Sequence, residues 1–144
     1  MAAPLKEYNP SEIAMSFAGI PIAGYADGEF VVIEAESDDF TDVVGTDGDV
    51  ARARTNDRRG TVTFKLMQTS DTNALLSALR NADLLAPNGA GVGALEVRDL
   101  QGTTLLSAAE AWIKKMPQTA FDREIGAREW VIRCAVLEGV VGGN

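Results

Sequence analysis

The chain of 144 residues contains no histidine. That removes the commonest general base and the commonest metal ligand, so no serine triad can be built. Cysteine occurs once, as Cys134, which excludes an intramolecular disulfide and a thiolate zinc site. Set between Ile132 and Val136, it reads as a small buried hydrophobe. Long apolar runs are missing too: none approaches the roughly 20 residues of a membrane span. The opening MAAPLKEYNP lacks the apolar centre of a signal peptide, so the expectation is a chain made and kept soluble in a cytosol, with no membrane insertion. Positive charge is scarce. Thirteen Lys and Arg against twenty-one Asp and Glu give a formal net charge of −8, which argues against gripping a phosphate backbone. An acidic surface still suits a conduit past which nucleic acid slides without adhering.

Carboxylate chemistry or a hard cation is what remains. Asp47-Gly48-Asp49, preceded by Asp38, Asp39 and Asp42, resembles part of a calcium loop but lacks the alternating ligand spacing and terminal glutamate of an EF-hand. Glu34 and Glu36 are two apart on a predicted strand, which makes them neighbours on one solvated face. The glycines of Pro87-Asn88-Gly89-Ala90-Gly91-Val92-Gly93 follow a helix, whereas a phosphate cradle leads into one. They read as a flexible loop, and no catalytic, metal or cofactor site is expected.

What is present is a central stretch, residues 37 to 68. In Gly60 to Gln68, Val62, Phe64 and Leu66 alternate with Thr61, Thr63 and Lys65, the period of two of a half-buried strand. Glu29 to Glu36 reads as its antiparallel partner, with Val31, Ile33 and Ala35 on one face and Glu34 and Glu36 beside Val32 on the other. The connection between them, about residues 38–59, is far longer than the two to five residues of an ordinary hairpin. From Asp27 through Asp49 there are nine acids and no base; then Arg52, Arg54, Arg58 and Arg59 follow, opposed only by Asp57. Such a segment either folds back on itself, pairs with a neighbouring copy, or is simply a solvated loop, since exposed ion pairs contribute only about 0–1 kcal/mol each.

The remainder packs around this stretch as a single domain, 1–144. Residues 1–10, with Pro4 and Pro10, form an extended N-terminal arm. Ile13, Met15 and Phe17 share a strand face that Gly19 and Pro21 bend or end. Ser70 to Asn73 supply capping side chains for one amphipathic helix, about 71–82. Ala94 to Leu100 reads as a strand. Thr103 to Met116 is ambiguous, because SAAEAWIKKM has helix formers at helical spacing while its residues also sort onto two strand faces; propensity alone favours helix. A last strand runs about 127 to 138, with Trp130, Ile132, Cys134 and Val136 on one face, and the C-terminal tail, 139–144, ends in a mobile Gly142-Gly143-Asn144.

Several features occur together: Gly24-Tyr25-Ala26-Asp27-Gly28, Asp39-Phe40, Val44-Gly45-Thr46-Asp47-Gly48, Arg52, Asn56-Asp57, Thr63, Leu66 and Gln68-Thr69-Ser70. Farther on come Asn73, Asp99-Leu100-Gln101-Gly102, Ala111-Trp112-Ile113, Pro117 and Trp130. Over about residues 8 to 144 this pattern resembles the tail tube proteins of contractile-tailed bacteriophages, the myovirus family related to type VI secretion tubes. The resemblance implies a mainly β fold, a β-sandwich or rolled barrel with one flanking helix, assembled into stacked hexameric rings with an inner β-barrel. It makes Thr103 to Met116 a strand, since burial in a large sheet can override weak local preference.

The same resemblance implies a structural virion protein of the tail, assembled in the bacterial host cytoplasm. DNA would leave the capsid through the tube without specific binding, and the partners would be further copies, sheath, and baseplate or terminator proteins. Asp39, Asp42, Asp47, Asp49, Arg52, Arg54, Arg58 and Arg59 on the long loop are then expected at an inter-ring interface, the loop ordering only on assembly. Glu34, Glu36, Thr61 and Thr63 are expected to face the lumen. A bacteriocin or secretion tube, or a monomeric β-sandwich binding module, fits the same residues; size-exclusion chromatography separates the last from the others.

Overall fold

The computed structural model describes residues 4–143, so the first three residues of the expected arm and Asn144 of the expected tail lie outside the described residues. After exposed residues 4–8 and half-buried Asn9, a short 3-10 turn, Pro10–Glu12, leads into β1, Ile13–Phe17. Ala18 (φ 51°) and Gly19 (φ 81°) then reverse the chain into β2, Ile20–Pro21. Both turn residues are left-handed, which suits a two-residue hairpin. β3, Val31–Ala35, and β6, Gly60–Met67, pair antiparallel as expected, Val31 facing Phe64 and Ala35 facing Gly60.

Helix α1, Thr72–Leu85, runs three residues beyond the expected end at 82. Asp71 at its N-cap makes no side-chain cap bond; Ser70, one residue earlier, accepts from the Thr72 amide at 3.3 Å through its Oγ and donates to the Ala23 carbonyl at 2.7 Å. Then come β7, Gly93–Asp99, β8, Leu105–Lys115, β9, Ala127–Cys134, and β10, Glu138–Val140. One sheet holds them in the order β2-β1-β7-β8-β9-β6-β3, with β10 added to β8. The sheet is not closed, and its path ends at β2 and β3.

The core lies on one face of this sheet. Val62, Phe64 and Leu66 of β6, Trp130, Ile132 and Cys134 of β9, Leu95 and Val97 of β7, and Met15 and Phe17 of β1 are buried together with Leu76 of α1. The Trp130 indole N–H donates to Asn73 Oδ1 at 2.9 Å, fixing the helix to the sheet. Burial deprotonates Cys134 reluctantly, its pKa being pushed up to about 11.

Local propensity fails at β8. Within the ambiguous stretch Thr103 to Met116, Leu105–Lys115 is a strand, not a helix, and a bulge interrupts its alternation. An extra residue between Ala108 and Ala111 brings both to the core face, three apart instead of two. The bulge thus breaks the strict alternation that would have marked a strand. The last strand is likewise shorter than expected: β9 stops at Cys134, and the Ala135 amide bonds the Glu110 carbonyl at 3.0 Å within the bulge. Val136 therefore leaves the core face and is 45% exposed. The C-terminal tail begins in a strand. Glu138–Val140 pairs with β8, while Gly142 accepts from Thr104 Oγ1 at 3.2 Å and returns its amide to it at 3.0 Å.

Candidate functional site

The connection from β3 to β6 is not a long irregular loop. It contains β4, Phe40–Val44, and β5, Val50–Arg54, paired antiparallel from Phe40–Arg54 to Val44–Val50. β-branched residues favour the strands. The Gly45 to Asp49 tip closes with Gly48 at φ 91°, its amide bonded to the Gly45 carbonyl at 3.0 Å. The basic half therefore folds back on the acidic half, and Asp42 lies directly across from Arg52.

This arm is built as a continuation of β3 and β6. The Glu36 amide bonds the Arg59 carbonyl at 3.0 Å, and the Thr55 amide bonds the Asp39 carbonyl at 2.9 Å. Between these bonds the register slips by one residue, and Asp57 holds the offset. Its carboxylate accepts from the Ser37 hydroxyl at 2.8 Å and from the Arg59 guanidinium through two bonds of 2.9 Å each. The Arg59 bonds first, then the Ser37 bond, hold the Asp57 carboxyl well below the usual carboxylate range. Arg59, expected to reach another subunit, is thus engaged within its own chain. Arg52 and Arg54 stack on Phe40, 4.0 and 5.4 Å from the ring centre.

All ten strand residues of the hairpin are exposed. Val43, Val44 and Val50 are 69%, 65% and 69% exposed. A two-stranded ribbon without a covered face is only marginally stable in water by itself. Asp39, Asp42, Asp47, Asp49, Arg52, Arg54 and Arg58 all lie along this arm or its base and are exposed.

The second expected group also comes together. Glu34 lies across from Thr61 and Val32 from Thr63, on the face of β3 and β6 opposite the core. Thr61 donates its hydroxyl to the Glu36 carboxylate, and Arg133 approaches that carboxylate at 3.6 Å. The Thr61 bond and the charges of Arg133, Lys114 and Arg59 hold the Glu36 carboxyl below its ordinary value. Across the next pair of strands Lys65 lies opposite Glu129. The face is polar and close to charge balance, less acidic than Glu34 and Glu36 suggested by themselves.

Sequence reasoning missed Asp57 as a clip, Phe40 as the platform for two arginines, and Arg133 as the partner of Glu36. The Asn56-Asp57 pair amid arginines was the available signal for the first. The other two depend on cross-strand register.

Among the described residues the chain is an open β-sheet with one helix and the β4–β5 hairpin, and its overall fold is similar to that of chains from contractile injection devices. The chain superposes on the tube-terminating cap of the anti-feeding prophage with a TM-score of 0.66 at 10% identity, covering 97% of this chain and 95% of that one. It superposes on a chain of the sheath-tube complex of the extracellular contractile injection system PVC with a TM-score of 0.60 at 11% identity, covering 93% of each. For a chain of the virion of a native gene transfer agent particle the values are 0.58 and 12%, covering 94% of this chain and 100% of that one. In sequence, structural protein ORF10 of Pseudomonas phage KPP10 is 29% identical over 150 residues, spanning 100% of this chain and 87% of that protein. Residues 14–142 match the family described as Bacteriophage PhiTE tail tube protein, and the chain belongs to that family. It is accordingly a structural protein of a phage tail and not an enzyme.

Proposed function

We propose that this chain forms hexameric rings that stack into the inner tail tube through which phage DNA is ejected. The observation that carries the reading is the combination of an unclosed sheet with a fully exposed hairpin. Edge strands left unpaired invite pairing with another copy, and closure around a ring removes them. β3 supplies one edge and β2 with the start of β1 supplies the other, whereas β6 is paired on both sides and cannot be an edge. The balanced face carrying Glu34, Glu36, Thr61 and Thr63 then lines the lumen, where it neither binds nor strongly repels the phosphate backbone. The hairpin carries contact from ring to ring through Asp39, Asp42, Asp47, Asp49, Arg52, Arg54 and Arg58. Sheath surrounds the tube, and terminator and baseplate proteins close its ends, as the sheath-tube and cap structures sharing the fold suggest. Assembly takes place in the host cytoplasm.

Size-exclusion chromatography combined with negative-stain imaging of the purified chain tests this. Rings or tubes with a central hole are expected; a persistent monomer at high concentration rejects the proposal. Because the fold is shared with injection systems, the tube of a contractile bacteriocin or secretion device is the second reading, and DNA packaged in the native particle decides between them.

A further inference from the structure

The hairpin needs an acceptor, and the structure holds one recess of matching chemistry. Between the N-terminal segment, the β2–β3 connection and the starts of β1 and β3 lies a groove of about 360 Å³. Its walls are Tyr8, Ile13, Phe30, Val31, Ile33 and Val97. It continues past Phe30 into a second recess bounded by Pro10, Tyr25 and Asp27. The charged residues lining the two recesses are Asp27, Glu29 and Asp99, and no lysine or arginine lines either among the described residues. Asp27 and Glu29 are exposed at the rim. Asp99 is buried, and its carboxylate accepts from the Gln101 amide at 3.1 Å.

We infer that this acidic, apolar-walled groove receives the β4–β5 hairpin of a second copy. The inference rests on the tube reading and names the surface on which the hairpin lands. On one face the hairpin offers what the groove lacks: exposed Val44 and Val50 for the apolar walls, and Arg52 and Arg54, already ordered on Phe40, for the Asp27 and Glu29 carboxylates. Charge complementarity of this kind fixes partner and register more than raw affinity. The hairpin leaves β3 at its Ala35 end, while the groove opens where the chain enters β3, at Gly28 to Val31. Because the hairpin strands are exposed throughout, the subunit's own groove is not what covers them. A projection and a recess at different places on one subunit make a head-to-tail contact, which propagates instead of closing on itself as a two-fold pair.

A charge exchange tests this. Arg52→Glu with Arg54→Glu, and separately Asp27→Arg with Glu29→Arg, should each raise the concentration needed for tube growth by about tenfold or more, because like charges then face each other. The four changes together should restore growth to near the unaltered level. A second measurement keeps the native arginines: with Cys134→Ala, the pair Val50→Cys and Glu29→Cys should form a disulfide between copies in assembled tubes. If the unaltered chain grows tubes but the four-fold variant is not rescued and no cross-link forms, the groove is not the acceptor, while the tube reading stands. An unaltered chain that never leaves the monomer rejects both.

Discussion

Replacing Val43, Val44 and Val50 by threonine separates folding from assembly. The three side chains are 69%, 65% and 69% exposed in the subunit, so about two thirds of each is still free to be covered by another copy. Full burial of a valine contributes about 1.5 kcal/mol at the lower end of the usual range, and two thirds of that is about 1 kcal/mol per residue. Threonine keeps the β-branched shape and the strand preference, so the hairpin should still pair. The expected loss is about 3 kcal/mol of assembly free energy per subunit, roughly a hundredfold rise in the concentration at which tubes appear. The subunit itself should hardly change, because surface substitutions away from special features usually stay within about 0.5 kcal/mol. Sedimentation of tubes across a concentration series measures the first quantity and thermal melting of the monomer the second. Unchanged tube growth, or a large fall in melting temperature, would refute the claim that these valines serve an interface.

Asn73→Ala should leave the buried Trp130 N–H unpaired, costing about 2 kcal/mol. For a chain of this size that corresponds to a fall of about 4–8 °C in Tm, and the double variant with Trp130→Phe should lose less than the sum of the two single changes. Folding lowers the pKa of Asp57, so the hairpin clip is complete above the unfolded carboxylate value of about 3.9 and is lost as pH falls through the lower folded value. Assembly should therefore show a clip-dependent decline only below about pH 4, absent in Asp57→Asn, as light scattering across a pH series would read. Cys134, buried with its pKa pushed up to about 11, should resist maleimide at pH 8 in the folded chain and react once the chain is denatured.

Much of the fold was written in simple alternation. Val62, Phe64 and Leu66, or Trp130, Ile132 and Cys134, declare a buried face because their strands are regular over several residues. β8 hid because it is rich in helix formers, its bulge between Ala108 and Ala111 breaks strand alternation, and local propensity cannot see a neighbouring strand. The segment's unusual length and acidic-then-basic charge order were legible in the sequence, but not its pairing into a hairpin. Its strands carry polar and apolar residues on both faces with no buried side to set a pattern. The lumen candidates were found as a shared face, yet the charge of that face depends on Arg133, which only sheet order brings beside Glu36.

A cryo-EM reconstruction of tubes grown from the purified chain tests the central claim most directly. The account predicts that the β3 edge of each subunit bonds the β2 and β1 edge of the next in a closed inner barrel, while each β4–β5 hairpin crosses to the adjoining ring and becomes buried. A tube in which β3 stays unpaired and the hairpin remains in solvent would contradict it.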